Sequence, residues 1–533
     1  MINAMRLSTI LVPNLSVCWL CLLLSPMSAD AQLIDRTRAP NLANEGINKS
    51  ISQQVGTGRG NAMTPDSSCF IISRDPFRSI RRGRQLFQRK FTRAEGMGPN
   101  VQDGTGDVNT VLAIGAGLAD SCAACHGRPR GSAGFGGDVV TRPDSRDAPH
   151  LFGLGLKEML ADEITADLRA IRDEALTDAK VQGKAVNAHL VSKGIDYGSI
   201  MAQPDGSVDT SKVHGINPDL RVRPFFAHGG KIAIREFIVG ALNDEMGLQA
   251  PDHDLAIAAA GGKVTTLSGM VMDGSLDQFA APTTNDPNVD PDGDHVDNEI
   301  DPCLVDHLEF YLLNYFKPGL YEQTERTKRG RKIFERIGCA SCHVPDLRLK
   351  GDRRVADVET VFDPDKGIFN GLYATATLLH DAVDDGSGFP SLKPPGYKPY
   401  LVRNIFTDFK RHNLGPNFYE RNYDGTIHTE FMTTPLWGVG STPPYGHDGR
   451  SINLTEVILR HGGEAQKEAT AFEMLSDQNR NALLEFLNSL VLFPPDDTAS
   501  NLDPGNRQDP HFPQSGHGSI KLSVLFNDPQ DKE

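Results

Sequence analysis

The chain has little that would tie it to a membrane or a nucleic acid. Its longest apolar run, culminating in Leu15–Leu24, is too short to span a bilayer, and no second run follows. No basic run suggests nucleic acid, and the net charge of −15 argues for solubility rather than a polyanionic partner. It leaves room for docking of a basic electron-transfer protein. Tryptophan is nearly absent: of two, Trp19 lies in the leader and Trp437 near the far end. Cysteine is scarce for an exported chain of 533 residues, which excludes a disulfide-stapled scaffold.

The leader reads as a secretory signal peptide. Arg6 precedes the apolar run, and Ala29-Asp30-Ala31 offers a small-residue cleavage site before Gln32. A periplasmic location is expected. Cys18 and Cys21 are lost with the leader, leaving six cysteines. Four of these form two copies of Cys-x-x-Cys-His: Cys122-Ala123-Ala124-Cys125-His126 and Cys339-Ala340-Ser341-Cys342-His343. Each copy reads as a covalent c-type haem site, with two thiols for the vinyl groups and His as the proximal iron ligand. A zinc reading needs further ligand pairs at matching spacing, and none is visible. Two copies predict two haem c groups and redox chemistry. The remaining pair, Cys69 and Cys303, forms either a disulfide or two free thiols.

The expected fold is mainly α, with two cytochrome c-like domains, long loops and few short strands. The expected division is 1–31 signal peptide, 32–75 extended arm, 76–280 first haem domain, 281–325 connector, 326–495 second haem domain and 496–533 tail. Leu156, Leu160, Ile164, Leu168 and Ile171 recur at helical spacing and predict a helix from Leu156 to Leu176. Further helices are expected at Ser79–Phe91, Ile232–Met246, Val305–Tyr315, Gln323–Ile337, Leu454–His461 and Ser476–Leu490. Residues 350–400, rich in Asp, Gly and Pro, read as a long loop-rich insertion. An internal echo sets His228-Gly229-Gly230-Lys231 against His447-Asp448-Gly449-Arg450, which suggests a duplication.

Asp290, Asp292, Asp294, Asn298 and Asp301 alternate around Gly293. With the Val296 carbonyl they have the spacing to wrap calcium. The stretch also resembles the loops of calcium-binding repeats, with His295 where Gly is usual.

From about Phe87 to Phe493 the chain resembles the bacterial di-haem cytochrome c peroxidase/MauG superfamily, and within it the di-haem oxidoreductase branch. The resemblance rests on Thr433–Gly440, Pro443–Arg450 and His461-Gly462-Gly463-Glu464-Ala465. Ser121–Gly127, Arg146–Pro149 with Leu151–Leu156, and Phe406-Thr407-Asp408 with His412 support it. It implies two haems facing a shared interface and chemistry on hydrogen peroxide, or related high-valent iron oxidations. A small soluble cytochrome or cupredoxin would be the electron donor. Rival readings are an electron-transfer cytochrome, and an oxygenase using dioxygen on an organic substrate.

Residue roles follow from the resemblance. His461 stands where the peroxidases carry the distal Met of the second haem, implying ligation by His343 and His461 and a lower potential. No His lies between His126 and Arg146, so the first haem is expected to keep an open distal side, with His150 as a mismatched candidate. Glu245, in Asn243-Asp244-Glu245-Met246, matches a distal acid that moves the peroxide proton. His447 matches a residue beside the second haem, in a catalytic or a structural role. His228 is its first-half echo, and His412 would bond a propionate or be an ordinary loop residue. The relatives' inter-haem Trp is replaced by Phe225-Phe226-Ala227, which leaves Trp437 or a direct jump. An inter-haem calcium would take Asp147, Thr442 and Pro444.

Overall fold

The computed structural model describes residues 50–98, 119–127, 133, 147–365, 371–379, 381–383, 391–393, 399–422 and 425–492. The expected signal peptide, residues 32–49 and residues 493–533 lie outside this set. The expected extended arm is partly helical in its described portion, with short helices at Ile51–Val55 and Ser68–Arg74. Their starts were legible as Ser50 and Ser67, whose hydroxyls accept the Gln53 and Phe70 amides.

Helix α1 (Pro76–Gln88) starts behind Asp75, which accepts the Arg78 amide, and holds Pro76 in its first turn, where no donor is lost. Helix α2 (Leu154–Gln182) is the long helix expected from the Leu/Ile stripe. Leu156, Leu160, Ile164 and Leu168 are fully buried, each stabilising the fold by roughly 1.5–3 kcal/mol relative to exposure. An antiparallel sheet follows, β1 (Val186–Ser192), β2 (Ile195–Ala202) and β3 (Val208–Val213). Helix α3 (Ile234–Met246) ends at Gly247 in the left-handed region. Helix α4 (Pro302–Asn314) is buried on every side from Cys303 to Asn314, as expected of a central helix with an apolar run. Helices α5 (Glu325–Arg336) and α7 (Asp477–Asn488) pack together, with α6 (Leu454–Arg460) between them in sequence.

The expectation of a mainly α protein needs correction: the structure is mixed, 39% helical and 17% strand. The stretch read as a loop-rich insertion holds much of the difference. Its strands β5 (Ala356–Phe362) and β6 (Leu372–Leu378) join β4 (Lys317–Leu320) and β7 (Leu490–Val491), from either side of it in sequence, in one sheet of order β7-β4-β5-β6. In β5, Ala356, Val358 and Thr360 point inward and alternate with half-buried neighbours. That period of two was visible, but the Gly, Pro and Asp around it dominated the composition.

Two main apolar clusters result, beside a small third one of Ala175, Ala179 and Ala202. The larger runs through α1 to α4, and Cys122 and Cys125 pack against it. The smaller is built on Ile333, Phe334, Phe406, Phe472 and Phe486, and Cys339 packs against it. Among the described residues no helix is long and apolar enough to cross a membrane.

Candidate functional site

The first Cys-x-x-Cys-His motif forms a single helical turn, Cys122–His126, capped by the Ser121 hydroxyl, which accepts the Ala124 amide at 3.1 Å. His126 Nδ1 lies 2.8 Å from the Pro149 carbonyl. Donation there leaves Nε2 as the coordinating nitrogen, the arrangement usual for a metal-bound imidazole. Burial, with Cys125 adding, pushes the Cys122 thiol up to about 12. Cys125 rises to about 11 through burial and the charges of Glu245 and Asp120. Glu245 therefore stands within electrostatic reach of the first motif.

His150 reaches across to the second half, its Nε2 2.8 Å from the Trp437 carbonyl, while its Nδ1 is buried without a partner. Burial pulls its pKa down to about 4; the Trp437 carbonyl opposes this, and Lys157 and His126 add to it. Lys157 sits over the Phe225 ring, and burial lowers it to about 8. The Trp437 ring covers Gly153, where an added Cβ would lie 2.6 Å from the indole. Trp437 thus holds the His150–Gly153 stretch through both its carbonyl and its ring.

The second motif forms a 3-10 turn, Cys339–Ser341, with His343 just beyond it. His343 Nδ1 lies 3.2 Å from the Phe406 carbonyl, again leaving Nε2 available. Burial and the nearby His461 push its pKa down to about 4, against the Phe406 carbonyl. His461 ends α6, with its Nδ1 2.7 Å from the Val457 carbonyl and its ring edge-on to Phe418. Both imidazoles therefore commit one nitrogen to backbone and keep the other.

His412 differs from both of its expected roles. Its Nε2 lies 2.9 Å from Asp408 and its Nδ1 2.8 Å from Glu464, so both nitrogens serve carboxylates and none is left for a propionate. Burial opposes its charge, yet the Asp408 bond and the contact with Cys342 raise its pKa to about 11. His447 stacks on Phe431, with centroids 4.0 Å apart, and pairs with buried Glu420 at 3.3 Å. Sequence reasoning missed Glu420 and Glu464 as partners. Glu464 stood in the quoted motif; nothing in the sequence marked Glu420.

The internal echo is real as local geometry but is displaced by one residue. Phe225 exchanges backbone bonds with Lys231, and Tyr445 exchanges them with Ser451. Left-handed backbone follows at Phe226 and Gly229 in one turn, and at Gly446 and Gly449 in the other. Glu236 accepts the Ile232 amide at 2.8 Å, and Glu456 accepts the Ile452 amide at 3.0 Å. His228 therefore matches Asp448 rather than His447, and His461 matches Ala241 on α3. The His228 ring instead lies between Phe226 and His428.

Among the calcium candidates, Asp290, Asp292 and Asp294 bring ligand oxygens within 4.8 Å of one another. Asp301 instead caps α4 by accepting the Cys303 amide, and Asn298 Nδ2 lies 3.5 Å from Asp301 Oδ2. Glu299, not foreseen, is buried within reach of the three aspartates' charges; burial and those charges raise its pKa to about 8, against the Gln249 amide. For the inter-haem set, the Asp147 amide donates to the His447 carbonyl at 3.0 Å, beside Thr442 and Pro444 in sequence. Thr442 bonds the Gly438 carbonyl, and Pro444 follows a cis bond. Cys69 and Cys303 are free thiols, so the disulfide alternative is not met; Cys303 lies against the Val55 carbonyl.

Among curated proteins none matches the chain. A hydrazine synthase structure from Kuenenia stuttgartiensis is 18% identical with a TM-score of 0.20, over 36% of this chain and 55% of that one. The chain thus spans just over half of that relative. A MauG-like protein associated with microbial copper homeostasis is 12% identical with a TM-score of 0.32, over 80% of this chain and 92% of that one. Both scores are too low to establish a shared fold. The family described as "Di-haem oxidoreductase, putative peroxidase" matches residues 400–490, which hold His412, Trp437, His447 and His461. Over this stretch, 400–490, the chain is similar to the di-haem oxidoreductase family.

Proposed function

We propose that the chain is a periplasmic di-haem c-type oxidoreductase of the peroxidase type, built as two cytochrome c-like halves. Cys122, Cys125 and His126 would hold one haem, and Cys339, Cys342, His343 and His461 the other. Two thiols beside an imidazole whose Nδ1 is already occupied are a donor set that fits this group. When bound, the haems supply iron centres that exchange electrons with hydrogen peroxide or dioxygen.

One observation carries the reading: the two sites are unequal at matched positions. His461 stands near His343 with a nitrogen to spare, whereas the matching residue on α3 is Ala241. The first site is then the open one. Glu245 near Cys125 would accept a proton from the inner peroxide oxygen and return it to the departing one, contributing about 10²–10⁴-fold. Glu420 would orient His447 beside the second site. Trp437, joined through its carbonyl to His150, would lie on the path between the halves.

The rival, an electron-transfer cytochrome with both irons closed, has one observation in its favour. His150 keeps a buried Nδ1 without a partner near His126. Low-temperature EPR of the oxidised protein separates the readings. One high-spin and one low-spin signal, with a response to peroxide, are expected. Two low-spin signals without a response would overturn the peroxidase reading. Glu245→Gln should keep both signals and lower peroxide turnover by about 10²–10⁴-fold.

A further inference from the structure

Glu299 is 3% exposed, which is unusual for a carboxylate, and its Oε1 has no hydrogen-bond partner. Burying such an oxygen unpaired is costly unless something positive meets it. Its other oxygen accepts the Gln249 amide at 2.8 Å. The carboxylate lies within electrostatic reach of Asp290, Asp292 and Asp294, whose charges all act on it. Asp292 Oδ2 is likewise buried without a partner. Three carboxylates thus converge, with Glu299 buried beside them within reach of their charges; two oxygens of the group are unsatisfied, and no Lys or Arg ion pair is found to any of the four among the described residues.

We propose that Asp290, Asp292, Asp294 and Glu299 form a calcium site in which Glu299, rather than Asp301, is the ligand that joins the loop to the core. The donor set is all oxygen and carries a high negative charge. It sits on a loop that turns through left-handed Gly293, His295 and Asn298, which suits the larger and more loosely coordinated of the common hard cations. Magnesium, which demands near-ideal octahedral geometry and keeps several waters, fits it less well.

The place of the site gives it a role. Glu299 packs against Gly96, where an added Cβ would lie 2.3 Å from its carboxyl carbon. The Gly98 amide bonds the Met246 carbonyl at the end of α3, and the Ile300 amide bonds the Gln249 carbonyl. The cation would therefore brace three segments: the turn after α1, the end of α3 beyond Glu245, and the approach to α4. This role does not depend on the haem chemistry proposed above.

The test is calorimetric titration of calcium, and separately of magnesium, into the full haem-loaded protein after chelation, with melting curves alongside. Wild type should bind calcium in preference to magnesium and melt higher with it. Glu299→Gln should lose one calcium equivalent or bind it at least about tenfold more weakly, because affinity follows the count of ligand charges. In chelator the same variant should melt no lower than wild type, since it relieves repulsion. Asp294→Asn, a partly exposed change that spares the core, should weaken binding in the same way, whereas Asp301→Asn should not. No calcium binding by wild type, or Glu299→Gln and Asp294→Asn proteins that both bind the full complement unchanged, would overturn the site. An inter-haem calcium would persist in both variants and is thereby distinguished.

Discussion

The turn Phe225–Glu236 and the turn Tyr445–Glu456 have the same backbone and different chemistry. Each closes with the same pair of backbone bonds, passes through two left-handed residues, and starts its helix with a glutamate that reaches back to an amide. On the first, the helix goes on through Ala241 to Met246 and carries Glu245 toward the Cys122–His126 motif. On the second, the helix stops at Arg460 and presents His461 to the other motif. The scaffold fixes where a side chain can stand. On the function proposed above, an imidazole there would close a site and a methyl group would leave it open. The first turn is also welded to the core by Arg235, fully buried among Asp252, Asp306 and Glu309. The matching Thr455 has no such network.

The largest test of this pairing exchanges the two deciding residues. His461→Ala should turn the low-spin EPR signal high-spin, and Ala241→His should turn the high-spin signal low-spin. If the first change leaves the spectrum as it was, His461 is not a ligand; if only the second does, the positions are not equivalent. Next comes the anchoring. Arg235→Leu strips the counter-charge from three buried carboxylates and should cost about 3–5 kcal/mol in denaturant unfolding. Thr455→Val should stay within about 0.5 kcal/mol, and equal losses would mean that the anchoring is shared. The smallest contrast lies in the two glutamates. Glu236 is buried and also accepts the Ala280 amide, so Glu236→Ala should cost about 1–3 kcal/mol. Glu456 is exposed, so thermal melts of Glu456→Ala should shift less.

The same pairing shows how far the sequence could be read. The α2 stripe and the helix after Ser476 were legible because each is a local pattern of spacing or capping. The echo was legible too, but in the wrong register. Matching letters set His228 on His447, whereas the backbone sets it on Asp448, because the left-handed positions, not the histidines, define the turn. The partners of His412 and His447 come from segments distant in sequence, and Glu420 carries no motif of its own. Glu299 was passed over for Asp301 because spacing alone cannot tell a carboxylate that caps a helix from one that is buried without a partner. Strands β5 and β6 were hidden by the Gly and Pro around them, although β5 alternates as a strand should.

The contact of Trp437 with Gly153 has a consequence for hybrids of this protein with its relatives. The indole belongs to one half and the space it fills to the other, so neither can be inherited alone. A chimaera that takes residues 147–182 from a relative with any side chain at position 153 would displace the indole and with it the carbonyl that holds His150. The two positions should be exchanged together, as a single unit of heredity split across the chain.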